Sequence, residues 1–245
     1  MTSLESNAAW LDGVGQQLRV GPIQIRKPSQ GEVLIKNHAV ALNPVDVKMQ
    51  TSGMLVQSWP TILGSDLAGE VVEVGDGVIA VKPGTRVLAH ATGLLTGKPE
   101  NSCFQDYTIV QAESLCPIPD HVPFEDAAVI PMAFSTAVGG LYPKEYLALP
   151  LPGPQPEKLG KTLLVWSGSS SVGSAVIQLA AASGLDVVAT ASPKNFDYCK
   201  SLGARDVLDY GSKNIVAELI ERLQDVKLVG AFDGERYQVN SSDPT

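Results

Sequence analysis

Two stretches of the sequence hold side chains whose types and spacing could do chemistry. The first is Gly168-Ser169-Ser170-Ser171-Val172-Gly173, which fits G-x-G-x-x-G except that Ser170 stands where the middle glycine belongs. A turn of this kind between strand and helix leaves N–H groups free at the helix start, and these together with the helix dipole favour a phosphate. The middle glycine normally lets the backbone approach a pyrophosphate. With serine in its place, the successive hydroxyls of Ser169, Ser170 and Ser171 are expected to donate to phosphate oxygens instead. An ordinary βα turn would use the same residues without any ligand.

The second stretch is Thr190-Ala191-Ser192-Pro193-Lys194-Asn195. At this place an NAD site usually sets an Asp or Glu against the ribose hydroxyls, whereas an NADP site must accommodate a 2′-phosphate. Here there is no carboxylate, and Ser192, Lys194 and Asn195 offer a hydroxyl, an ammonium and an amide. Lys194 can pair with a phosphate as a point charge. Tyr210, after the next short strand, could close over the same phosphate. The pattern points to NADPH; the competing reading is that Ser192-Pro193 only caps the following helix.

Other chemistries find little support. His38, His90 and His121 are scattered, and none lies at a metal-ligand spacing from Asp, Glu or Cys, so no metal is expected. There is no G-x-S-x-G elbow, and Ser167-Gly168-Ser169 has no base nearby in sequence.

The phosphate turn must be held by a βαβ unit, and residues 161–191 read as one. Leu163–Trp166 is a short continuous apolar run, as in a strand buried on both faces. Val172, Val176, Leu179 and Ala180 then recur at helical spacing up to Gly184, and Asp186–Thr190 is the next strand. A helix near Pro193–Leu202, a strand over Asp206–Leu208, a helix over Asn214–Leu223 and an apolar run Leu228–Phe232 follow. Upstream, residues 1–125 look mostly β, with strands over Glu32–Leu42, Asp66–Gly75, Arg86–Ala89 and Phe104–Val110. Gly69 marks a bulge or a close approach. Many short strands at this spacing suggest a barrel-like domain. Residues 126–160 form a connection, helical over Glu125–Val129 and Ala133–Leu141, broken by Pro131, then proline-dense over Leu149–Pro156.

The 245 residues carry a net charge of −8, with no Lys/Arg-rich run, so nucleic acid is a poor partner. No apolar run approaches the length of a membrane helix. Cys103, Cys116 and Cys199 lie far apart and suit a reducing, cytoplasmic setting. A full dinucleotide fold has about six strands. Here roughly four are readable over 161–233, followed by a polar tail, 234–245, so the chain is expected to be truncated at its C-terminus.

Several pieces together resemble the medium-chain dehydrogenase/reductase superfamily: Asn43-Pro44-Val45-Asp46-Val47-Lys48, Leu63–Gly75, Lys82–Val87 and the 161–191 unit. The resemblance implies an α/β architecture, with a GroES-like β domain ahead of a partial Rossmann domain. The zinc alcohol dehydrogenases of that superfamily carry Cys where this chain has Asn43 and a His-Glu pair where it has Ser65-Asp66, so the chain resembles the zinc-independent quinone and enoyl reductases. The serine-rich turn, the Ser192–Asn195 segment and the proline-rich link look most like fungal trans-acting enoyl reductases, which work beside polyketide synthases. The resemblance implies an NADPH-dependent reduction of an activated alkene, either a carrier-bound enoyl thioester or a quinone-like acceptor. It places Asp46 and Lys48 beside the nicotinamide, Thr136 against nicotinamide or substrate, Ser169–Val172 on the pyrophosphate, and Ser192–Asn195 with Tyr210 on the 2′-phosphate. Lys48 and Thr136 are the catalytic candidates. The alternative is a non-catalytic NADP-binding remnant.

Overall fold

Short alternating segments build the N-terminal part of the chain. The computed structural model describes residues 4–234, which divide into two units meeting in sequence at Met132 and Ala133. In the first, β1 (Leu4–Leu11) lies between β2 (Arg19–Ile25) and the short β4 (Thr61–Ile62), all antiparallel. A second, five-stranded antiparallel sheet runs in the order β7-β3-β5-β6-β8, from β3 (Glu32–Ala41), β5 (Asp66–Val74), β6 (Arg86–His90), β7 (Tyr107–Gln111) and β8 (Leu115–Pro117). Val33, Ile35, Leu67, Val71, Val87 and Val110 are its buried core. Gly69 is a point of close approach, as expected: a Cβ there would lie 2.1 Å from the Lys36 carbonyl oxygen, opposite a register shift between Asn37 and Ala39.

Helix α1 (Pro44–Ser52) has no apolar stripe and is defined by its ends, Asn43 at the N-cap, Pro44 in the first turn and Gly53 at the C-cap with φ 71°. A short α2 (Gly93–Thr96) follows β6. Helix α3 (Phe124–Ala128) buries Ala127 and Ala128 against Ala68 and Ile118. Within the region read as mostly β, the sequence pattern does not single out strands β1 and β2. Two expectations change. The strand expected from Phe104 begins at Tyr107, because Asn37 Nδ2 donates to the carbonyls of Cys103 and Gln105 and holds that segment as a loop. Pro131 opens α4 (Pro131–Leu141) rather than breaking a helix, since a first-turn proline has no intrahelical N–H bond to lose.

The second unit is a parallel sheet. Strands β9 (Thr162–Trp166), β10 (Asp186–Ala191), β11 (Asp206–Asp209) and β12 (Leu228–Asp233) lie in the order β11-β10-β9-β12. This is the 3-2-1-4 order of one half and the switch of a dinucleotide fold. Helix α5 (Ser171–Ala182) follows β9 and buries Ala175, Val176, Ile177 and Ala180 against Leu163, Val165, Val187 and Ala189. A 3-10 turn over Pro193–Asn195 leads into α6 (Phe196–Ser201), and α7 (Ile215–Leu223) precedes β12. The proline-dense run forms no helix or strand; the Gly153 N–H reaches the Ala182 carbonyl at 3.0 Å. The stretch read as a connection, 126–160, is divided, with α3 in the first unit and the residues after Met132 in the second. Apart from Gly234, the polar tail lies outside the described residues. No helix among the described residues is long and apolar enough to cross a membrane.

Candidate functional site

In an open parallel sheet, ligands bind beyond the carboxyl ends of the strands where the strand order reverses. Here that point lies between β9 and β12, and the serine-rich turn leaves the end of β9. Thr190, fully buried at the end of β10, holds the turn. Its Oγ1 accepts from the Ser167 N–H at 3.1 Å, and its carbonyl accepts from the Gly168 N–H at 2.8 Å. Ser167 takes a left-handed backbone, φ 59°, which for a non-glycine residue costs about 1–2 kcal/mol. Both fingerprint glycines are required by contact. A Cβ on Gly173 would lie 2.2 Å from the Ser167 carbonyl oxygen, and one on Gly168 would lie 2.9 Å from the Ala189 Cβ.

Ser170, expected to offer its hydroxyl to a phosphate, has partners for it within the chain. It is the N-cap of α5, and its Oγ accepts from the Gly173 N–H at 3.0 Å. Its single proton goes to the Ser167 carbonyl at 2.9 Å or to the Gly234 carbonyl at 3.2 Å. In the structure that hydroxyl is spent on partners within the fold. The backbone N–H groups of Ser171 and Val172 have no partner among the described residues, and Ser171 is exposed. These two N–H groups, the Ser171 hydroxyl and the α5 dipole lie together at the helix N-terminus, an arrangement that favours an anion.

Beside it, Asn195 Nδ2 donates to Ser169 Oγ and to Ser192 Oγ, both at 3.1 Å, joining the serine turn to the end of β10. Tyr210 is brought to the same place by its N–H, which reaches the Ala191 carbonyl at 3.4 Å, and its ring is exposed. Lys194 is exposed and joins no ion pair among the described residues. Pro193 starts the 3-10 turn that presents Lys194. Asp209, level with Ala191 in the sheet, has its Oδ1 tied to the Gly211 N–H at 2.8 Å. Asn195 thus ties Ser169 to Ser192, with the exposed Lys194 next to Asn195 in the chain and Tyr210 bonded through its N–H to Ala191.

The remaining candidates lie elsewhere. Thr136 is half-buried on α4. Lys48 is exposed on α1. Asp46, expected beside the nicotinamide, is 5% exposed, and its Oδ2 accepts from the Asn43 N–H at 2.8 Å, closing the first turn of α1. Asp66 has a role that its place in the sequence did not suggest. Its Oδ2 accepts from Asn43 Nδ2 at 2.9 Å and its Oδ1 from the Met132 N–H at 2.6 Å, at the start of α4. Burial, opposed by those two donors and reinforced by the Asp46 charge, pushes Asp66 up to about 6. Burial also raises Asp46 and the Cys103 thiol, whose Sγ lies 3.2 Å from the Asp66 carbonyl oxygen, and it lowers His90. Among the described residues no group of three His, Cys, Asp or Glu side chains could hold a metal ion.

Residues 29–120 match the alcohol dehydrogenase GroES-like domain. The chain is 41% identical over 243 residues to the dehydrogenase orsE of Emericella nidulans, covering 93% of this chain and 70% of that protein. It is 43% identical over 225 residues to the trans-enoyl reductase himH of Aspergillus japonicus, covering 91% of this chain and 65% of that one. An alcohol dehydrogenase superfamily protein from Novosphingobium aromaticivorans superposes with a TM-score of 0.76 at 27% identity, over 93% of this chain and 65% of that chain. Against two Aspergillus niger dehydrogenases the chain spans 66% of their length, just under two thirds.

Proposed function

The chain belongs to the medium-chain dehydrogenase/reductase family, a GroES-like β domain joined to a Rossmann-type sheet, and from that premise we propose that it is an NADPH-dependent reductase of activated alkenes. The observation that carries the cofactor choice is the donor patch at the end of β10, where Ser169, Ser192, Asn195, Lys194 and Tyr210 gather and residues 190–195 hold no carboxylate. The residues present fit the cofactor. Gly168 and Gly173 keep the turn clear, the Ser171 and Val172 N–H groups are available to the pyrophosphate, and Lys194 with the two serines is available to the 2′-phosphate.

When bound, NADPH supplies the hydride that reduces the alkene. The chain's own residues supply position and charge. The N–H groups of α5 and the donor patch fix the adenosine end. Lys48, exposed and outside any ion pair among the described residues, is the group we propose to donate to the enolate oxygen and to return a proton to the α-carbon through water. Thr136 is proposed to orient the substrate carbonyl. The reaction is proposed to need no zinc: Asn43 is an amide that donates to Asp66, and Asp66 spends both oxygens on Asn43 and Met132. The substrate class we propose is an enoyl group, by analogy with the relatives named as trans-enoyl reductases, and the carrier we propose for it, from the resemblance alone, is a polyketide synthase. The setting is the cytoplasm, consistent with three free cysteines.

The test is NADPH oxidation by the purified chain with an enoyl pantetheine thioester and, separately, with a quinone. Turnover on either supports an alkene or quinone reductase. Tight NADPH binding without oxidation by either acceptor refutes it.

A further inference from the structure

Asn195 sits between two hydroxyls and treats them alike. Its amide nitrogen carries two protons, and the structure spends one on Ser169 Oγ and one on Ser192 Oγ, each at 3.1 Å. Each serine oxygen is therefore an acceptor toward Asn195 and must send its own proton elsewhere. Among the described residues neither hydroxyl proton has an acceptor. Both serines are half-buried, so the two protons face whatever occupies the patch. The two oxygens share one donor atom and so lie within about 6 Å of each other. With hydrogen bonds of about 2.8 Å, one phosphate group can accept from both.

We propose that Asn195 is a positioning residue that turns the Ser169 and Ser192 hydroxyl protons outward onto a single anion, the 2′-phosphate of the cofactor's adenosine ribose. This rests on the NADPH reading above and deepens it. Asn195 need not touch the phosphate; it sets the polarity of the two groups that do. An aspartate at this position could only accept, so it would draw both protons inward and present oxygen lone pairs, together with its own charge, to the phosphate. Lys194 contributes charge whatever the hydroxyls do, so the preference of a variant at Asn195 falls without vanishing unless the variant adds a negative charge of its own.

The test uses the whole chain and calorimetric titration with 2′,5′-ADP and with 5′-AMP, which differ by the 2′-phosphate alone. The wild type is expected to bind 2′,5′-ADP at least tenfold more tightly than 5′-AMP. Asn195→Ala is expected to lose about tenfold for 2′,5′-ADP and less than twofold for 5′-AMP. Asn195→Asp is expected to lose the preference for 2′,5′-ADP over 5′-AMP altogether. In a Ser169→Ala/Ser192→Ala background, Asn195→Ala is expected to have no further effect, because nothing is left to orient. Asn195→Ala with the full wild-type preference, or equal losses for both nucleotides, overturns the positioning role and leaves the NADPH reading standing. A wild type that binds the two nucleotides equally removes that reading itself.

Discussion

Replacing Ser170 by alanine separates a capping role from a phosphate-binding one. The variant loses the bond from the Gly173 N–H to Oγ, 3.0 Å, leaving an uncapped donor at the start of α5. Losing a serine N-cap costs about 1 kcal/mol. It also loses the proton given to Ser167 or Gly234, a hydroxyl-to-carbonyl bond contributing about 1 kcal/mol. The sum is about 2 kcal/mol, which for a chain of this size lowers the unfolding midpoint by roughly 4–8 °C. Ser170→Gly restores the family fingerprint, and glycine is a tolerated N-cap, so that loss is expected to be about half as large. In both variants the Ser171 and Val172 N–H groups stay in place, so the NADPH dissociation constant is expected to change less than threefold. Thermal unfolding followed by circular dichroism, with and without NADPH, measures both quantities. An unchanged midpoint with NADPH weakened more than tenfold would show that the hydroxyl serves the phosphate, and the capping assignment would be wrong.

Other expectations follow from neighbouring contacts. Gly173→Ala puts a methyl 2.2 Å from a backbone oxygen that cannot swing away; it is expected to cost about 1–3 kcal/mol and to weaken NADPH at least tenfold, measured by chemical unfolding and fluorescence titration. Glu32, bonded to Arg26 and to the Ser29 N–H, titrates at about 2 instead of 4.5. Its native pKa is depressed, so its contribution is fully present above 4.5 and lost as pH falls toward 2; Glu32→Gln should flatten the urea-unfolding midpoint over that window. Asp66 has the opposite sign. Its native pKa of about 6 exceeds the ordinary 3.8, so its burial destabilises by up to about 3 kcal/mol above pH 6 and is relieved between pH 6 and 4. Asp66→Asn keeps an acceptor for Met132 and should remove that rise in stability on acidification; a wild-type profile in the variant would place the titration elsewhere.

What could be read from the residues was what local pattern controls. The run Leu163–Trp166 and the helical spacing after it define β9 and α5 because both faces of the strand and one face of the helix are buried. Gly69 was legible because a glycine inside a strand gives up side-chain packing, a loss that is tolerated where another backbone comes too close for a Cβ. Strand β1 was not, because LESNAAWL lacks alternation and gains its place by pairing with β2 and β4. Nor was α1, whose only signals are its caps. In the site, the residue types at 168–173 and 190–195 were legible, but the direction of each hydrogen bond was not. Ser170 turned out to cap its own helix, and Asn195 joins two segments that are 26 positions apart through Ser169. The bond from Met132 to Asp66 spans 66 positions, and no local pattern in the sequence marks it.

The most direct test of the account is a pair of dissociation constants, for NADPH and for NADH, in the wild type and in Lys194→Ala. A donor patch built for a 2′-phosphate predicts a wild type that prefers NADPH by at least tenfold, and a variant that loses at least tenfold for NADPH and less than twofold for NADH. Equal affinity for the two cofactors in the wild type, or equal losses in the variant, would contradict it.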